Sequence, residues 1–174
     1  QRDPEGYLYH AQQQVTGTQS SLEARLIDIA QRRERANAML VERTTEYDAI
    51  SSVLQDLKDA YTTARDAEIW PAEVGDRLFS EAELRARIIE AHNRSTTANA
   101  QSEQITAVLS QLSDREQAVK AKLNELESTA RKIEADLELV KTARALEDLD
   151  DIQVDLAAIT ATSSSLATVP SNDS

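Results

Sequence analysis

The feature that most constrains this chain is a hydrophobic repeat that holds one spacing through two stretches of equal length. From Leu8, alternating steps of four and three residues reach 17 seam positions ending at Ala64, and 13 of them are apolar. From Leu84 the same steps reach another 17 ending at Val140, of which 14 are apolar. With 40% of all residues apolar, chance would place about seven in each set. The repeat averages half a heptad, the period of a left-handed coiled coil rather than of a straight surface helix. Each stretch covers 57 residues, and as a helix would extend roughly 85 Å.

The punctuation of the sequence agrees. Only 3 Gly and 3 Pro occur in 174 residues, where sheet proteins and α/β enzymes need turn residues every few positions. The one internal cluster is Pro71 with Gly75-Asp76. Pro71 denies a helix its N–H and restricts Trp70, so the first helix is expected to stop near Ile69. Ser80 followed by Glu83 reads as a capping box, with Phe79 and Leu84 as the hydrophobic staple around it. Two equal helices about one short break predict an all-α fold, a long antiparallel coiled-coil helical hairpin in a single domain. The expected boundaries are helix 1 over about 7–69, a turn over 70–79 and helix 2 over about 81–145.

After Val140 the seam fails. Leu146, Leu149, Ile152, Leu156, Ile159 and Leu166 resume a three–four spacing in a shifted register, across the acidic run Glu147-Asp148-Leu149-Asp150-Asp151. A helix end or stutter is therefore expected near 143–150, followed by a shorter C-terminal third helix over about 148–167 and a frayed tail over 168–174. Gln1–Gly6, with Pro4 and Gly6, is expected to be irregular. Gly17 is a soft point in helix 1, costing about 1 kcal/mol.

Folding the chain about its break pairs residues whose numbers add to about 148. The charged interruptions of the two seams, Arg33 and Glu116, then fall on one layer, and Tyr47 meets Ser102. Arg33 and Glu116 can form an interhelical ion pair that sets the register, or each can reach separately to solvent. Ile69, Trp70, Val74, Leu78 and Phe79 gather at the turn. They can form an adhesive tip for a protein partner, or simply plug the open end of the hairpin; the plug is the simpler reading.

Little in the sequence asks for catalysis. Three glycines leave no P-loop, dinucleotide loop or nucleophile elbow, so no catalytic and no cofactor-binding residues are assigned. His10 and His92 lie far apart on the expected hairpin, and zinc needs three or four converging ligands. The acidic cluster Glu147, Asp148, Asp150, Asp151 and Asp155 lacks the glycine and ligand spacing of a calcium loop. No metal site is assigned. A net charge of −12 opposes nucleic acid, which needs clustered cations, and opposes direct binding to an anionic membrane surface. Arg32, Arg33 and Arg35 read as a solvated helix face. No stretch reaches the ~18 apolar residues of a membrane span. The sequence opens on Gln1 rather than Met, as a trimmed chain would, and leaves room for an anchor ahead of it.

The run Gly75-Asp76-Arg77-Leu78-Phe79-Ser80, with the acidic Leu146–Ile152 stretch closing the second helix, resembles a group of bacterial membrane-anchored coiled-coil hairpin proteins of unassigned activity. That resemblance implies attachment at the cell envelope and a scaffold role rather than a reaction. More distantly, the hairpin is similar to the phage-shock/ESCRT-III membrane-remodelling family, which implies assembly on membranes. The expected function is therefore a non-enzymatic structural or interaction protein that self-associates as a homo-oligomer or binds a protein partner. A membrane-remodelling or envelope-stress role is the alternative. Tyr7, Ile27, Met39, Val41, Val53 and Ile89 lie off the seam and offer a second face for association.

Overall fold

Two long helices and one tight turn account for the architecture. The computed structural model describes residues 3–167, with side chains through 161; the tail expected over 168–174 lies outside the described residues. Helix α1 spans Pro4–Ala67, strand β1 Ala72–Val74, strand β2 Arg77–Phe79 and helix α2 Glu81–Ala167. The described chain forms two compact units: Ala24–Lys120, which contains the turn, and the residues through Glu23 together with those from Ala121.

In the unit that holds the turn, α1 ends two residues before the expected Ile69. The Ile69 N–H donates to the Ala64 carbonyl at 3.0 Å and the Glu68 N–H to the Arg65 carbonyl at 3.2 Å. This paired pattern is a Schellman motif, and it requires a left-handed residue where Glu68 sits, with φ +53°. The helix thus winds off its own C-terminus before Pro71 can interrupt it. What reads as a plain turn over 70–79 is a β-hairpin, with Ala72 opposite Phe79 and Val74 opposite Arg77. Three-residue strands are too short to carry an alternation from which a strand could be inferred. Gly75 takes φ +60° at the first position of the two-residue loop, the place where a hairpin turn of the mirror-image type favours glycine. Ser80 then caps α2: its Oγ accepts the Glu83 N–H at 3.2 Å and its carbonyl accepts the Leu84 N–H at 2.9 Å.

The core of this unit lies directly under the turn. Ile50, Leu54, Leu57, Ala64, Ala72, Phe79, Leu84 and Ala91 form one buried cluster, and Leu84 is wholly inaccessible. Phe79 and Leu84, the expected staple, are both members. Farther along, Ile29, Ala36, Ala98 and Leu112 are buried and the remaining seam positions half-buried, except Tyr47, which is exposed. The Ser102 hydroxyl, on the layer expected to face Tyr47, is buried without a hydrogen-bond partner among the described residues.

In the other unit, α1 begins at Pro4 rather than near residue 7. The Asp3 carbonyl accepts the Tyr7 N–H at 3.1 Å, so Asp3 is the cap and Pro4 occupies the first helical position. That position needs no N–H and welcomes a fixed φ; of the segment expected to be irregular, Pro4–Gly6 is a helix start, and residues 1–2 lie outside the described residues. Gly17 leaves α1 unbroken. Leu22, Ile133 and Leu137 are buried here. Arg144 Nη1 donates to Glu5 Oε2 at 2.6 Å, and the Lys141 ammonium lies 5.7 Å from the centre of the Tyr9 ring. The Tyr9 hydroxyl first, then the Glu138 and Glu5 carboxylates, raise the Lys141 pKa.

The separate third helix over 148–167 is not present. Helix α2 continues without a break from Glu81 to Ala167. The register shift after Val140 changes which face is apolar, but no Gly or Pro lies between 141 and 167 to interrupt the backbone hydrogen bonds. Every side chain from 141 to 161 is exposed.

Candidate functional site

The turn divides its five candidate residues. Phe79 is buried, and Trp70 and Val74 are half-buried against the same core. Ile69 and Leu78 remain 67% and 64% exposed. The division follows from the local geometry: pairing of Leu78 with Glu73 places both on the outer face of the two-stranded ribbon, while the Ala72–Phe79 pair faces inward. Trp70 precedes Pro71 through a cis peptide bond, and its ring lies 5.8 Å from that of Tyr61 at 54°, a tilted arrangement favoured by aromatic quadrupoles.

Tyr61 is the centre of a clasp that the sequence reading missed. Arg85 donates to its hydroxyl from Nε at 3.0 Å and from Nη2 at 2.9 Å, and also bridges Glu81 at 3.0 Å. The guanidinium of Arg65 lies 6.0 Å from the centre of the same ring. The hydrogen bond to Tyr61, followed by Coulomb attraction to Tyr61 and Glu81, raises the Arg85 pKa further. On the ribbon itself, the Arg77 guanidinium lies 5.6 Å from the centre of the Phe79 ring. The available signal was Tyr61 as a seam residue just before the break, with a cation soon after the next helix start.

Arg33 and Glu116 are brought together in an ion pair, Nη1 to Oε2. Lys120, one turn along α2, also reaches Glu116 at 2.8 Å. The hydrogen bond from Lys120 leads the causes that hold the Glu116 carboxyl below its usual pKa, and the charges of Lys120 and Arg33 add to it against the cost of desolvation. Of the neighbouring cations, Arg32 is taken by Asp28 at 2.9 Å.

The off-seam apolar residues are exposed: Tyr7, Ile27, Met39, Val41, Val53 and Ile89. On α1 they occupy two flanks rather than one. Ile27 and Val41 are two heptads apart, as are Met39 and Val53, and the pairs lie on opposite sides of the seam. A further exposed apolar group runs along α2 from Leu146 to Ile159.

His10 and His92 are both exposed. Among the described residues no group of three or more acidic or histidine side chains is placed to hold a metal ion. No described helix is long and apolar enough to cross a membrane. No protein-family model, curated protein or solved structure matches this chain.

Proposed function

We propose that this protein is a non-enzymatic scaffold built on its helical hairpin, that it associates with further copies of itself, and that it works at a bacterial envelope membrane with the hairpin in a soluble compartment. The observation that supports a scaffold is where burial goes. In each unit the buried apolar side chains follow the heptad seam and the core beneath the turn, leaving the outer faces of both helices to solvent and to partners. The groups with shifted pKa values, Arg85, Glu116 and Lys141, are each engaged in contacts that bind α1 to α2. None is poised in a closed hollow, the setting that tunes a group for acid–base chemistry. The envelope location rests on the resemblance carried by Gly75–Ser80 and the acidic Leu146–Ile152 stretch.

Sedimentation equilibrium across the micromolar range tests self-association. The mass is expected to exceed that of one chain and to fall to it in a Met39→Lys/Val53→Lys variant. A single-chain mass at every concentration would overturn the reading. Anionic vesicles separate it from membrane remodelling: a chain of net charge −12 should remain in the supernatant at physiological salt. Co-sedimentation with the vesicles would favour the remodelling alternative.

A further inference from the structure

Past Arg144, the last cation of α2, the helix presents an apolar stripe that none of the described residues covers. Leu149, Ile152, Leu156 and Ile159 succeed one another at spacings of three, four and three, and each is at least half exposed. On a helix this spacing draws a single seam about 15 Å long. It has the form of the seam that α2 buries between Leu84 and Val140, here with no helix opposite it among the described residues. A seam of this kind is complementary to another helix, whose side chains enter its holes as knobs.

The flanks specify what kind of helix. Asp148, Asp151 and Asp155 repeat at three and four along one edge of the stripe, and Glu147 and Asp150 lie farther round. No lysine or arginine occurs between 145 and 167. Among the described residues none of these five carboxylates is engaged in an ion pair, whereas the preceding turns carry Glu127 with Arg131 and Glu5 with Arg144. A second copy of the stripe would bring ten carboxylates together with no cation between them, and an anionic lipid surface would be repelled by the same edge.

We infer that residues 145–161 are a docking surface for a basic amphipathic helix of a partner protein, with apolar residues at heptad spacing and Lys or Arg along its edge. Apolar side chains of the partner fill the stripe, and its cations lie against Asp148, Asp151 and Asp155. Helix-in-groove recognition with charge-matched flanks sets both orientation and partner choice. This surface is distinct from the α1 residues proposed for self-association.

The test uses the full chain and two labelled 28-residue heptad peptides, both with Leu and Ile on the seam, one with Lys and the other with Glu at the flanking positions. Fluorescence anisotropy is expected to show the Lys peptide binding at least tenfold tighter than the Glu peptide, and weakening as salt rises. An Ile152→Gln/Leu156→Gln variant should lose at least tenfold in affinity with unchanged helix content, since both side chains are solvent-exposed. Asp148→Lys/Asp151→Lys/Asp155→Lys should reverse the preference between peptides. Equal binding of the two peptides, or Lys-peptide binding indifferent to the Ile152/Leu156 substitutions, would overturn the inference. So would a self-associated state of the native chain that those two substitutions dissolve, which would assign the stripe to a second copy.

Discussion

Single residues in this protein act mainly through backbone conformation and charge. Gly17 sits inside α1 with open space where a Cβ would project, so Gly17→Ala meets no neighbour. It removes the entropic penalty of mid-helix glycine and should stabilise the chain by about 1 kcal/mol, read as a shift of the urea midpoint. A loss of stability would mean that α1 needs a bend there. Glu116 offers a different lever. Its folded pKa lies below the ordinary value of 4.5, so the folded state binds its proton less readily than the unfolded chain. The resulting stability is present above that value and disappears as pH falls through the folded pKa. Comparing native chain and Glu116→Gln from neutral to strongly acidic pH should show a constant advantage for Glu above about pH 5, shrinking below it. An advantage that ignores pH would remove the charge from the explanation. A register-setting role for the Arg33–Glu116 pair demands more: Arg33→Ala and Glu116→Ala must be non-additive in a double-mutant cycle. Additive losses would leave two independent side chains.

At the scale of elements, the β-ribbon is held by its inner face alone. Phe79→Ala removes a buried ring from the core beneath the turn and should cost about 3 kcal/mol. Leu78→Ala, one residue earlier and exposed, should stay within about 0.5 kcal/mol. Equal losses would show that the outer face is also packed. These elements separate what sequence can express from what it cannot. The helices were legible because the heptad repeat states the same fact at many positions, from Leu8 through Val140. Ser80, Glu83 and the Phe79–Leu84 staple marked the start of α2 to the residue, because a cap is a local arrangement of few atoms. The ribbon was not legible, since three-residue strands have no period, and the left-handed Glu68 occupies a place where glycine would have announced itself. The end of α2 was misjudged for another reason: apolar periodicity reports which face is covered, and the backbone can continue after the cover ends. Among candidate site residues, proximity of Arg33 to Glu116 followed from the register. The clasp of Tyr61, Arg65 and Arg85 depends on side-chain directions that spacing does not encode.

For the whole molecule, the hairpin's interhelical contacts differ most in how much chain they enclose. Tyr61 and Arg85 are 24 residues apart, Arg33 and Glu116 are 83, and Glu5 and Arg144 are 139. The loop-closure entropy opposing each contact rises in that order. The buried cluster and two-residue turn beside Tyr61 therefore provide the least costly nucleus, from which the helices can zip toward the chain ends. Unzipping reverses the path. Hydrogen exchange in the native state should find the slowest amides around Leu54, Leu57 and Leu84 and progressively faster ones toward Leu8 and Val140. Uniform protection along both helices would exclude zipping. The small turn thus has a temporal role: it decides where folding begins, and which end of the molecule a protease reaches first.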